Sequence, residues 1–305
     1  MRVIVLGSAA GGGVPQWNCG CPNCVDARRN GPGRTQSSVA VSADGERWIL
    51  LNASPDLRSQ VAAHPELWPR AARGTPIAAV VLTDGEIDHT LGLLLMRESA
   101  VSLPVYAAAG VSALLDDAWP LYRVLAAYSG VEPRTLDDGR LVPLADRTGA
   151  PLGICCAATA VARRPPRYAE ATPAAAFDVG VRLRDDRSGG TLAYVPTAGA
   201  IDDAVRRVAG GADLLLFDGT FWSDDELRSV SADAPTARAM GHLPVGGPGG
   251  SLEQLGREGG TLGAKRTALV HINNTNPILC RSSTERAQVE AAGVIVAEDG
   301  MEFEL

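Results

Sequence analysis

Residues 77–99, IAAVVLTDGEIDHTLGLLLMRES, set the tightest limit on what this chain can fold into. The apolar, partly β-branched run IAAVVLT, bounded by turn signals, predicts a buried strand. It opens into Asp84, Glu86, Asp88 and His89, and TLGLLLMRESA then predicts a helix. A strand feeding a loop and then a helix is how α/β proteins set functional side chains at the carboxyl end of a sheet. Read alone, so acidic a loop is either a solvated turn or a cation site. His89, directly ahead of the apolar TLGLLL, favours the site, because its ring is held at the mouth of a buried helix.

The flanking sequence supplies more strands than helices. RVIVLG is a first strand, followed by a long Gly/Pro/Cys loop to Arg34. SSVAVSA and RWILLNA flank DGE and predict a hairpin turning at Asp44–Gly45. PDLRSQVAAH predicts a short helix and LPVYAA a strand. Further on, LGICCAATAV, FDVGVRLRD, TLAYVPT, ADLLLFDGT, TALVHI and GVIVAED are strands, with DDAVRRVA, SLEQLGREG and STERAQVEAA as helices between them. Hairpins mixed with strand–helix units predict two sheets facing each other with helices outside. No linker marks a boundary, so one domain over 1–305 is expected. GHLPVGGPGGS comes nearest to one, but active-site loops share that composition.

A length of 305 residues, 46% apolar and 21% charged, fits a soluble globular protein. No apolar run reaches the ~20 residues that span a bilayer. The apolar core of MRVIVLG is shorter than the ~7–15 residues of a signal peptide, so a cytoplasmic protein is expected. A net charge of −7, with basic residues scattered in short pairs such as Arg163–Arg164, argues against a nucleic-acid partner.

NCGCPNC is the firmest metal signal. Cys19, Cys21 and Cys24, in a Cys-rich loop over 15–34, can converge on one tetrahedral ion because the chain turns at Gly20 and Pro22. Zinc in such a sulfur-rich site is structural and stabilises folding by roughly 10 kcal/mol or more in apparent terms. The fourth ligand must come from elsewhere. Cys155, Cys156 and Cys280, in apolar surroundings, read as core residues. GSAAGGGVP lacks G-x-G-x-x-G spacing and no helix follows it, so it reads as a tight loop bringing backbone to the site, not as a dinucleotide site.

Of four histidines, His64 in AAHPEL reads as a capping or surface residue. His89, His242 in MGHLP and His271 at the end of TALVH each sit at a strand-to-loop junction, and one shared site is expected from them.

TDGEIDHTLGLLL resembles the T-H-x-H-x-D-H loop of the metallo-β-lactamase superfamily. Together with GSAAGGGVPQWNCGCPNC, LLFDGTFW, MGHLP and HINNTNPIL, it resembles the B-protein family of pyrroloquinoline quinone (PQQ) biosynthesis. The resemblance implies a four-layer αββα sandwich. Asp84 and Glu86 stand where dinuclear hydrolases of this superfamily carry their first two histidines. LAYVPTAGA carries Pro196–Thr197 where the bridging aspartate is expected, and RPPRYAEATPA offers no histidine. What remains of the pattern is Asp88, His89 and His271, two imidazoles and one carboxylate, the ligand set of non-haem iron(II) oxygenases. Related phosphodiesterases complete a similar Cys-x-Cys-x-x-Cys zinc site with a histidine, and Asn274 occupies that position here.

The function implied is iron-dependent hydroxylation of the tyrosine ring in a peptide-derived glutamate–tyrosine precursor, with dioxygen as co-substrate. Asp84, Glu86, Asp218 and His242 would orient substrate or move protons. Two alternatives are a carrier of PQQ or its precursor and a zinc-dependent hydrolase. The resemblance also leaves room for a homodimer and for other PQQ biosynthesis proteins as partners.

Overall fold

The structure is a computed structural model that describes residues 1–162, 166–169, 177–256 and 262–305. Its strands are β1 (Arg2–Gly7), β2 (Ser38–Ser42), β3 (Trp48–Leu51), β4 (Ile77–Val81), β5 (Leu103–Ala107), β6 (Val131–Thr135), β7 (Val142–Ala145), β8 (Pro151–Ala162), β9 (Asp178–Asp185), β10 (Thr191–Val195), β11 (Leu214–Asp218), β12 (Thr267–Val270), β13 (Ile295–Val296) and β14 (Glu302–Glu304). Among the described residues they form two seven-stranded sheets, β14-β1-β2-β3-β4-β5-β6 and β13-β12-β11-β10-β9-β8-β7. Each is antiparallel on one side and parallel on the other, changing at β3 and at β10.

Alternation along the strands builds the layers. On β11, Leu214 and Leu216 point into a core shared with Val3, Val41, Leu50 and Val80 of the opposite sheet. Leu215 and Phe217 point the other way, onto Val205 and Val208 of helix Asp203–Ala209 and Val289 of helix Thr284–Ala291. A strand buried on both faces must be apolar at every position, and Leu214–Phe217 is. Each such side chain stabilises the fold by roughly 1.5–3 kcal/mol. The covering helices are capped by their own sequence: Asp202 accepts from the amides of Ala204 and Val205, and Ser283 from that of Arg286. On the first sheet, Leu57 of helix Leu57–Ala63 and Val111 and Leu115 of helix Ala109–Asp116 close the outer layer. This is the expected αββα sandwich.

The hairpin at Asp44–Gly45 is present, with the Asp44 carboxylate accepting from the amides of Glu46 and Arg47. The single helix expected over TLGLLLMRESA is instead Ile87–Thr90, Gly92–Leu95 and a 3₁₀ turn, Met96–Glu98. The break has a cause. Gly92 packs on the Ala53–Ser54 backbone so closely that a Cβ would lie 2.4 Å from the Ser54 carbonyl. The Gly92 amide bonds to the Ala53 carbonyl and the Ala53 amide to that of His89, diverting the helix's own hydrogen bonds. The Cys loop contains a helix, Pro22–Asn30. Of SLEQLGREG only Leu252–Leu255 is helical, and 257–259 lie outside the described residues, as does most of RPPRYAEATPA.

His64 caps helix Leu57–Ala63, as expected, but is buried, its Nδ1 2.7 Å from the Gln60 carbonyl. Of Cys155, Cys156 and Cys280, only Cys156 lies in the core. Cys280 follows a 3₁₀ turn and is exposed, and Cys155 is half-buried beside Asp186. Among the described residues no helix is long and apolar enough to cross a membrane.

Candidate metal centre

The carboxyl ends of β4, β11 and β12 deliver the site, which lies at the rim between the sheets. His271 follows β12 directly with φ 55, a left-handed conformation unusual for a residue with a side chain. Its neighbour Ile272 is clamped on both sides, its amide donating to Ser8 and its carbonyl accepting from Ala10. Asn52, after β3, is likewise left-handed; its side-chain carbonyl accepts from the Thr83 amide and its Nδ2 donates to the Thr83 hydroxyl.

Each of three imidazoles is held from behind at Nδ1. Asp84, fully buried, lies 2.7 Å from His89 Nδ1 and is itself held by the Thr83 hydroxyl and the Glu86 amide. Asp218 Oδ2 lies 2.7 Å from His242 Nδ1. The Thr220 hydroxyl donates to Asp218 Oδ1 at 2.6 Å and therefore accepts from His271 Nδ1 at 2.8 Å. All three Nε2 atoms are thus turned away from these anchors. His89 Nε2 is buried without a hydrogen-bond partner. Asp88 Oδ2 sits 3.9 Å from it and 3.4 Å from His271 Nε2.

Donor atoms of Asp88, His89 and His271 all lie within 4.8 Å of one another, a set that could hold one metal ion. Asp218, His242 and His271 meet the same distance limit. Asp218, however, already accepts four hydrogen bonds, from the Ala198 and Thr220 amides, the Thr220 hydroxyl and His242. It is saturated as an anchor. The rings pack tightly, with His89 edge-on to His271 at 5.0 Å and His242 stacked on His271 at 5.6 Å.

Electrostatics favour a cation at the first set. Burial disfavours charge on His89, but Asp84 and Asp88 outweigh it and raise its pKa to about 10. Burial likewise opposes the Asp88 carboxylate, yet His89 and His271 hold it below the ordinary range. The field that keeps a proton on His89 would equally hold a metal ion at the orphaned Nε2. Gly11 brings the Gly-rich loop against this carboxylate: a Cβ there would lie 3.0 Å from Asp88 Oδ2. That is the close backbone approach expected of GSAAGGGVP.

Glu86 stands at the exposed rim, its carbonyl accepting from the Thr90 hydroxyl. Sequence reasoning missed Thr220 and Asp178. Asp-x-Thr in FDGT was a visible signal for the first. For Asp178, at the start of β9, the cue was weaker, a lone acid opening an apolar strand.

The three cysteines also converge. The Asn274 side-chain amide faces all of them, with Nδ2 at 3.1, 3.6 and 3.4 Å from the sulfurs of Cys19, Cys21 and Cys24. Burial first, then the neighbouring thiols, push the Cys21 thiol up to about 11, a crowding that a bound cation would relieve. The Asn23 side chain donates to the carbonyls of Asn274 and Asn276, tying this cluster to the loop after His271.

The sequence profile of the Beta-lactamase superfamily domain matches residues 47–272. The coenzyme PQQ synthesis protein B of Cupriavidus necator is 47% identical over 309 residues, covering 99% of each chain. That of Methylococcus capsulatus is 45% identical over 315 residues and the full length of both. The crystal structure of Zn(2+)-bound PqqB from Methylobacterium extorquens superposes with a TM-score of 0.88 at 38% identity, covering both chains completely. A diphosphatase of the PhnP family, at 23% identity and TM-score 0.68, shares the fold. With this match of sequence and architecture from end to end, the chain belongs to the coenzyme PQQ synthesis protein B family of the metallo-β-lactamase superfamily.

Proposed function

We propose that the chain is an iron-dependent hydroxylase acting on the tyrosine ring of a peptide-derived glutamate–tyrosine precursor of PQQ. The observation that carries this is the donor set of Asp88, His89 and His271, one carboxylate and two imidazoles whose Nε2 atoms face a common space. Held there, iron(II) would supply dioxygen chemistry, inserting one oxygen atom into a ring C–H while the other leaves as water at the expense of two electrons from a reductant.

The chain's own residues do the rest. Asp84 and Thr220 hold the Nδ1 atoms of His89 and His271, so each ring would present its Nε2 to a metal. His242 is not needed as a ligand. Burial lowers its basicity, but Asp218 outweighs this and leaves the ring more basic than an ordinary histidine. Its free Nε2 is suited to take the phenol proton and orient the ring. Glu86, at the rim, would contact the remainder of the substrate. Cys19, Cys21 and Cys24, with Asn274 once its side-chain amide is flipped to present Oδ1, would hold a structural zinc that braces the loop carrying His271.

A second reading, a zinc enzyme or zinc-bearing carrier, draws on the zinc in the Methylobacterium extorquens relative. One experiment separates the two. Protein loaded anaerobically with iron(II) receives glutamyl-tyrosine, ascorbate and oxygen, and products are followed by mass. A gain of about 16 Da per oxygen inserted, with iron only, supports the hydroxylase. Turnover with zinc, or tight product binding without turnover, supports the second reading.

A further inference from the structure

We infer that Asp178 is a binding residue for a positively charged primary ammonium on the ligand. The inference rests on the site proposed above and adds what that site recognises. Asp178 opens β9, where its backbone bridges to that of Asp84 and the next amide, of Val179, donates to the Thr83 carbonyl at 2.8 Å. The residue is only 8% exposed. Its side chain makes no hydrogen bond or ion pair among the described residues, unlike Asp84, which His89 holds, and Asp218, which four donors hold. A buried carboxyl without partners is costly unless something else completes it.

Its neighbours say what that something is. The groups acting on it are Asp84, Glu86, His89 and His242, which places the carboxyl between the acid loop after β4 and the His242 loop. Burial, then the charges of Asp84 and Glu86, raise its pKa to about 8 against the opposing charges of His89 and His242. Asp84 and Asp218 are committed to their histidines. Asp178 is the carboxyl left over, and an anionic ligand there would meet three or more acids of its own sign. A ligand ammonium offers Asp178 what His89 and His242, both turned to other carboxylates, do not: several N–H donors on a positive charge. An amino-acid-derived phenol carries such a group.

Two probe pairs test this by calorimetry on the zinc-loaded full chain. Glutamyl-tyrosine is compared with its N-acetyl derivative, and tyramine with 4-ethylphenol, which lacks only the amine. The wild type is expected to prefer each amine by at least about tenfold, the worth of a charged hydrogen bond. Asp178→Asn, checked for an unchanged melting temperature, should lose that preference while binding the uncharged member of each pair as before. If Asp178→Asn destabilises the fold, Asp178→Glu, which keeps the charge, should keep the preference. Equal binding of both members by the wild type, retention of the preference in Asp178→Asn, or no binding of any probe overturns the inference. Should the preference hold while iron-loaded protein fails to hydroxylate the dipeptide, the reaction assigned above fails and the ammonium site stands.

Discussion

The His271 ring is tied to Asp218 through one hydroxyl, that of Thr220, which lies 2.8 Å from the imidazole Nδ1 and 2.6 Å from the carboxylate. Asp218 also holds His242, so one buried carboxylate at the end of β11 sets two imidazoles, one through each of its oxygens.

Thr220→Val keeps the shape and removes the relay. Metal affinity at the Asp88–His89–His271 set should fall by about 10–100-fold, the usual cost of losing such a supporting partner. Thr220→Ser should restore most of it. Competition with a chromogenic chelator gives both numbers.

Asp84→Asn tests the matching contact behind His89. The amide can still accept from Nδ1 but carries no charge, so metal affinity should drop by a similar factor, about 10–100-fold. Because Asp84 is buried and also accepts from Thr83 and Glu86, a change in melting temperature should accompany it. A variant that binds metal as tightly as wild type would deny Asp84 its orienting role.

Much of this site was legible before the fold. Asp88, His89 and His271 were expected together from the resemblance, and the structure brings their donor atoms within 4.8 Å, Asp88 and His89 from the helix Ile87–Thr90 after β4 and His271 directly after β12. The GSAAGGGVP loop was legible as a close backbone approach, though neither Gly11 as the contact nor Asp88 as its partner was. The broken helix after His89 was not, because Gly92 breaks it through a backbone contact with Ala53, which lies far off in the sequence. The exposure of Cys280 was hidden for a related reason. Its apolar neighbour Ile278 is buried while the cysteine itself ends a turn, and no local pattern separates the two.

Gly11→Ala puts a methyl group 3.0 Å from Asp88 Oδ2 on an exposed loop. Thermal stability should change by less than about 1 kcal/mol, as for most surface substitutions. Metal affinity should fall, because Asp88 must move. Loss of stability with unchanged metal binding would contradict the assignment of Asp88.

At the cysteine cluster, Asn274→Ala should shorten zinc retention under chelator, whereas Asn274→Asp, which offers a charged oxygen, should retain zinc at least as long as wild type. Cys24→Ala should lose zinc outright and several kcal/mol of stability. Zinc content by mass spectrometry of the native protein checks all three.

Glu226 gives the fold a pH dependence. Its carboxylate accepts from the Thr275 hydroxyl at 2.6 Å and the Trp222 amide, and burial raises its pKa to about 7. An acid whose folded pKa is raised contributes its stability below the unfolded value near 4.5, and that contribution is lost as pH climbs through about 7. The loss is at most about 3 kcal/mol. Glu226→Gln should remove this part of the decline between pH 5 and pH 8 in urea unfolding, and an identical decline in the variant would rule Glu226 out.

The most direct measurement follows the oxygen atom. Iron(II)-loaded protein is given glutamyl-tyrosine, ascorbate and ¹⁸O₂ in ordinary water. The account predicts that each new ring oxygen carries the heavy isotope, and that Asp88→Ala, His89→Ala and His271→Ala abolish its incorporation. Incorporation of oxygen from water, or equal turnover by zinc-loaded protein, would contradict it.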